Sequence, residues 1–340
     1  MGNVALVTGG AGFIGSHVAD ELLRLGDRVV VLDDLSGGFL ENVNPNVEFV
    51  QGTILDHDLI DSLFAKYHFT HVYHLAAYAA EGLSHFIKRF NYNNNVVGSI
   101  NLINASVKFG VKCFVFTSSI AVYGANQLPM TEDLIPHPED PYGIAKVSVE
   151  HDLRVSKEMF GMDYIIFRPH NVYGERQNIG DRYRNVIGIF MNQIMQGDSL
   201  TIFGDGSQSR GFSYISDVAP VIAGAPYCEA AYNQIFNVGA DTPVTVKRLA
   251  EIVCEAMGVE PRIQFLDARK EVLHAYASHQ KVRDYFHLHN EVSIEAGVQR
   301  MAEWARQHGH RQSKRFDQVE VMKNMPPSWL AEFKTDPVEK

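Results

Sequence analysis

Cysteine is scarce in this chain. Only Cys113, Cys228 and Cys254 occur in 340 residues, and no two are close in sequence. That excludes a disulfide-stapled scaffold and supplies no zinc-type ligand set. Cys113 and Cys254 sit in apolar runs and read as core thiols in a reducing cytoplasm. The chain also lacks the roughly 20 consecutive apolar residues of a membrane span. Its start, "MGNVALVTGG", has no basic stretch or cleavage pattern and reads as a strand entering a glycine turn. Basic clusters are missing until "RQSKR" near the end, and the net charge is −10, which argues against nucleic acid as a partner. The 15 histidines are scattered, with no HExxH or CxxC spacing, so no metal is expected. There is no internal repeat.

What remains is a chain that is 46% hydrophobic, enough for two domains or one two-lobed unit. Apolar runs such as "NVALVT", "RVVVLD", "HVYHLA", "KCFVFT" and "DYIIFR" alternate with helix-period segments near 13–25, 56–66, 84–109 and 142–160. Near-continuous Val/Ile/Leu strands separated by helices predict an α/β fold, a parallel sheet covered on both faces. After Asn171 the elements shorten, and a smaller mixed lobe is expected over 172–310, with 311–340 as an appendage.

The stretch "TGGAGFIG" places Gly9, Gly12 and Gly15 between a strand and a helix. Glycine serves where backbone turns tightly and approaches a phosphate, and the helix start beyond offers free N–H groups to a pyrophosphate. Asp33 ends the next strand, where a carboxylate can bind a ribose 2′-hydroxyl and repel a 2′-phosphate. This points to NAD. The bland alternative is a glycine turn that only packs a helix on a sheet.

In "PYGIAK", Tyr142 and Lys146 are four apart on an expected helix and share a face. A nearby ammonium favours a phenolate, as would an oxidised nicotinamide. Tyr142 can then take a proton from an alcohol while hydride leaves its carbon. Ser119, at the carboxyl end of the preceding strand, can hold the same oxygen. Such a pair alone is also common on helix surfaces.

With these marks, and with "HLAA", "NNNVVGSINLI", "TSSIAVYG", "RPHNVYGERQ" and "SRGFSYISD", the sequence resembles the extended short-chain dehydrogenase/reductase family, in its nucleotide-sugar epimerase and dehydratase branch. The resemblance covers about residues 3–310 and implies a Rossmann-type doubly wound parallel sheet, residues 1–171, with a smaller substrate lobe. It implies cofactor contacts from Phe13, Ile14, Asp34, Ile54, Leu75, Ala76, Ala77 and Asn95, and from Thr53 in place of the family's usual acid. On the substrate side it implies Ser118, Ser119, Asn171, Asn185, Phe203 by the base, and Arg210 on the diphosphate. Leu273 stands where many relatives have arginine, with Arg269 as a replacement. Ala275 would leave room beside the sugar for an N-acetyl group, unless Tyr276 fills it. The family also implies a homodimer through the helices near 84–110 and 142–160.

The 4,6-dehydratases of this family carry Asp-Glu where this chain has Ser118-Ser119, and its decarboxylases a glutamate in the same loop. The cysteine and lysine of the 3,5-epimerases are replaced by Ala121 and Asn185. The resemblance therefore implies C4 epimerisation of a UDP-sugar. Glu81 stays open, as an extra acid–base group that would favour another epimerisation or a dehydrogenase, or as a solvated loop acid. A binding protein without turnover is the alternative of another class.

Overall fold

The computed structural model describes residues 2–334 apart from 270, 289–290, 313–315 and 318. Six strands follow one another as expected: β1 (Val4–Thr8), β2 (Arg28–Asp33), β3 (Glu48–Gln51), β4 (His71–His74), β5 (Cys113–Thr117) and β6 (Asp163–Pro169). They form a parallel sheet with a seventh strand, Gln234–Val238, in the spatial order Gln234–Val238, β6, β5, β4, β1, β2, β3. Alternate residues of β1 face opposite layers: Ala5 and Val7 join one apolar cluster, Leu6 the other. Strands buried on both faces explain the unbroken Val/Ile/Leu runs. The order reverses between β1 and β4, and such a reversal opens a crevice at the carboxyl edge.

Helix ends follow local chemistry. Asp140 accepts from Gly143 N–H at 2.9 Å and Pro141 occupies the first turn, starting the helix Pro141–Phe160. Asp56 caps His57–Tyr67 through Leu59 N–H at 3.0 Å. The continuous helix expected over 84–109 is interrupted. The chain forms Glu81–Ser84, breaks, and resumes as Lys88–Tyr92, a π-turn over Asn93–Val97, and Gly98–Phe109. Glu320, from the far end of the chain, starts the second piece by accepting from Arg89 and Phe90 N–H at 3.0 and 3.1 Å. Periodicity within 84–109 cannot encode that partner.

The remaining strands are short. Ser209–Gly211 lies between Pro243–Thr245 and His274–Ala275, and Leu200–Phe203 pairs with Ile263–Leu266. The region after 171 is not separate from the sheet, since Gln234–Val238 pairs with β6 and the helix Ile215–Gly224 packs on Phe13–Arg24. The segment 316–330 docks on residues 78–90 through Phe316, Val319, Met325, Trp329 and Leu330. Among the described residues no helix is long and apolar enough to cross a membrane.

One buried polar network joins helix to sheet. Glu150 of Pro141–Phe160 takes Arg168 of β6 in a two-pronged pair at 2.9 and 2.5 Å, and both side chains are within 5% of full burial. Arg168 also donates to Tyr123 Oη at 2.7 Å, Tyr123 donates to Asn237 Oδ1 at 2.8 Å, and Ser118 Oγ donates to Glu150 at 2.5 Å. Removing one partner leaves a buried charge unpaired. Arg168→Met is therefore expected to lose about 3–5 kcal/mol of stability by urea unfolding. Glu150→Leu with Arg168→Met should recover much of that loss. A double variant less stable than both singles would refute this.

Candidate active site

A cavity of about 480 Å³ runs along the carboxyl edge of the sheet. At one end lies the glycine turn. Gly9 has φ +72°, and a Cβ there would sit 2.7 Å from Ala76 N. A Cβ on Gly15 would fall 2.1 Å from Gly9 O, so neither position admits a side chain. The helix Phe13–Arg24 starts at Gly12 with no side-chain cap, and Gly12, Phe13, Ile14 and Gly15 line the cavity. Its first N–H groups are thus available to an anion.

Asp33 accepts from Ala11 N–H at 3.0 Å and Leu35 N–H at 2.8 Å. Burial pushes its pKa up, and those bonds oppose the rise. Asp33 and Asp34 line the cavity with Ile54, Leu75, Ala76 and Ala77. Thr53 is not in the wall, although Gly52 and Ile54 on either side of it are, and its hydroxyl accepts from Leu55 N–H at 3.3 Å. Asn95 stands one layer behind, where its amide accepts from Tyr78 N–H at 3.0 Å and donates to Tyr78 O at 3.2 Å. It braces a loop that is itself wall. A glycine cradle, an uncapped helix start and an acid at the end of β2 together fit a dinucleotide.

At the middle of the cavity, Ser119 follows β5, its hydroxyl accepts from Ala121 N–H at 3.1 Å, and it lies close enough to Tyr142 to oppose the rise of that residue's pKa. Lys146 Nζ donates to Thr117 O at 2.8 Å and lies 5.7 Å from the Tyr142 ring centroid. The spacing in "PYGIAK" does bring both side chains to one face, against the loop after β5. The expected electrostatics differ. Burial, followed by the charge of Glu81, raises the Tyr142 pKa above its ordinary value. Burial lowers Lys146 to about 7, with Glu150 opposing. Lys146 alone therefore does not produce a phenolate here, because desolvation outweighs its charge. Ser118 lines the same wall, but its hydroxyl is given to Glu150.

Glu81 opens the short helix Glu81–Ser84 and projects into the cavity. The residue is exposed and lines the cavity. Desolvation by the nearby protein pushes its pKa up to about 7, with Asp140 adding and Arg210 and Arg269 opposing.

At the far end are Asn171, Asn185, Phe203, Arg210 and Arg269. Asn171 (φ 39°) and Asn185 (φ 62°) both hold left-handed backbone, which asparagine tolerates better than most residues. Asn171 Nδ2 donates to Gly211 O at 3.1 Å. The Arg210 guanidinium ties down the 271–273 loop through Glu271, Val272 O and Leu273 O, and Arg269 shares Glu271 with it. Leu273 is exposed. Ala275 lies outside the wall, packed with Ile120, Val122, Tyr123 and Met130. Among the wall residues that sequence reasoning missed, three stand out. Asp140 is signalled only as a helix cap. Arg184, paired with Asp181 at 2.6 Å and set over Tyr78 at 4.9 Å, has no local signal. Tyr183 is the third.

A family model described as the NAD dependent epimerase/dehydratase family matches residues 5–239. A putative UDP-glucose 4-epimerase from Methanocaldococcus jannaschii is 35% identical over 302 residues, covering 88% of this chain and 97% of that protein. The crystal structure of a UDP-glucose 4-epimerase with UDP-glucose from Thermotoga maritima superposes with a TM-score of 0.86 at 35% identity, over 90% of this chain and 99% of that one. The UDP-glucose 4-epimerase of Thermus thermophilus in complex with NAD gives 0.83 at 31% identity, over 89% and 99%. With the glycine cradle at one end of the cavity and the Ser119–Tyr142–Lys146 group at its middle, these matches identify the chain as a member of the NAD dependent epimerase/dehydratase family, an NAD-binding enzyme that modifies nucleotide sugars.

Proposed function

We propose that the enzyme inverts C4 of a UDP-hexose through a 4-keto sugar. The observation that carries this reading is the single wall shared by Ser119, Tyr142 and Lys146 with the glycine turn on one side and Arg210 and Arg269 on the other. Tyr142, once it has lost its own proton, a state that the positive charge of an oxidised nicotinamide would favour, accepts the proton of the C4 hydroxyl, and Ser119 holds that oxygen. Lys146 braces the base and the cofactor ribose. NAD, when bound, supplies the hydride acceptor. Asn171 and Asn185 contact the substrate, and the arginines neutralise the diphosphate. Hydride returning to the opposite face of the turned keto sugar needs no further acid or base, in keeping with serines at 118 and 119. With its free cysteines, we place the enzyme in the cytoplasm.

A second reading rests on Glu81. A carboxyl group with its pKa near 7, close enough to Tyr142 to perturb it, can exchange a proton at the carbon beside a 4-keto group. That would epimerise C3 or C5. A quaternary reading rests on exposed Ile144, Val155 and Met159 along one face of Pro141–Phe160, with Val97 beside the neighbouring helix. We infer that this face pairs with a second copy across a two-fold axis.

Proton NMR in deuterated water with UDP-glucose, UDP-N-acetylglucosamine and UDP-glucuronate tests the first two readings. C4 inversion moves hydride within the site, so the epimer should carry no deuterium. Deuterium at C3 or C5 would favour Glu81, and no epimer from any of the three would defeat the C4 reading. Tyr142→Phe should cut turnover at least about 100-fold while the NAD content stays unchanged. Near-normal turnover would assign the base elsewhere. Sedimentation of the unmutated protein should give a dimer that Val155→Asp shifts toward monomer, and a monomer at the outset would end that reading.

A further inference from the structure

The nucleotide-sugar cavity does not end at Arg210 and Arg269. A second cavity of about 540 Å³ adjoins it, and the two share Gly82, His85, Phe203 and Arg269 in their walls. The outer wall of the second is the segment from Val321 to Trp329. The strap 316–330 is held over this place at several points. Glu320 and Val321 both donate their N–H to Phe86 O, at 2.8 and 3.2 Å. The Glu320 carboxylate takes the Arg89 and Phe90 amides. Phe316 packs between Tyr78 and Phe90 at 5.1 and 4.9 Å.

Trp329, 6% exposed, is the inward-facing end of the strap. Its ring meets Tyr183 at 5.1 Å and Phe203 at 6.4 Å, both edge-on. The Arg269 guanidinium lies 4.7 Å over Phe203 and 5.8 Å from Trp329. A Cβ on Gly82 would approach the same ring to 3.3 Å, a tight contact. Tyr183, Phe203, Arg269 and Gly82 all line the main cavity. The relatives are matched over 97–99% of their lengths, yet about a tenth of this chain stays outside those matches. That share is about the size of the strap and the residues around it.

We propose that the strap completes the nucleobase end of the substrate site, with Trp329 as its specificity-determining residue. The inference rests on the nucleotide-sugar reading and deepens it. With the sugar beside Ser119 and Tyr142, and the diphosphate at Arg210 and Arg269, the next group along the cavity is the base. Phe203, Trp329 and a guanidinium plane are the surfaces on which a planar heterocycle stacks. Trp329 also holds Arg269 over Phe203, so its loss disturbs both the stacking face and the cation that meets the diphosphate.

The chain has two tryptophans, Trp304 and Trp329, which makes a direct test available. In Trp304→Phe protein the emission reports Trp329 alone. UDP, GDP, CDP and dTDP are titrated in turn, and the tightest-binding one should change that emission saturably. Trp329→Ala should weaken that nucleotide about tenfold or more, the scale of losing one aromatic face from a base. NAD affinity should stay within about twofold, since the glycine cradle lies at the other end of the cavity. Trp329→Phe should restore most of the loss. Turnover should show the change in KM more than in kcat. Unchanged Trp329 emission on saturation, retained nucleotide affinity in Trp329→Ala, or no binding of any of the four by the unmutated protein would each overturn the inference. If Trp329→Ala loses NAD as well, it has misfolded, and the emission experiment decides alone. A protein that binds UDP through Trp329 but inverts no UDP-hexose keeps this inference and loses the C4 reading.

Discussion

The two-pronged pair between Glu150 and Arg168 is the constraint on which the rest of the site depends. It fixes the helix Pro141–Phe160 against β6, and that helix carries Tyr142 and Lys146. Through Ser118 the same carboxylate holds the loop after β5, and that loop carries Ser119. Three side chains that share the middle of the cavity wall are therefore referred to one buried ion pair. A buried pair is weak evidence of net stabilisation, but it is costly to leave half-made. It acts here as a register pin that gives helix and loop one relative position.

Charge in the cavity follows from the same burial. Tyr142 is held protonated by desolvation and by Glu81, and Lys146 is brought down to about 7. Glu81 is brought up to about 7 by desolvation. These groups sit close enough to respond to one another, so charge added by a bound ligand is felt by all three. An added cation lowers the cost of a Tyr142 phenolate, and an added anion raises the proton affinity of Lys146 and Glu81. The proton inventory of the site is thus set by ligand and protein together.

Local features were legible in the sequence. The glycine turn, Asp33, and the four-residue interval from Tyr142 to Lys146 each encode their own geometry within one turn or one strand end. The alternating strands and helices gave the sheet for the same reason. What was not legible depends on pairings between distant segments. Ala275 leaves the cavity wall because His274–Ala275 pairs with Ser209–Gly211, and a short strand's facing is decided by that register. Arg184 becomes wall only through its partner Asp181 and the distant Tyr78. The break before Lys88 is set by Glu320, more than two hundred residues away. Thr53, expected at the cofactor, turns its hydroxyl to a neighbour two residues on instead.

The strand Gln234–Val238 returns from the smaller region to become the outermost member of the large sheet, beside β6. The chain is consequently stitched rather than jointed. No single cut yields two intact halves, because a break anywhere between 172 and 233 would leave the larger half short of a strand. Recombination that exchanges the substrate-facing region with a relative's, and keeps that strand, needs a crossover on each side of it in addition to those at the ends of the region.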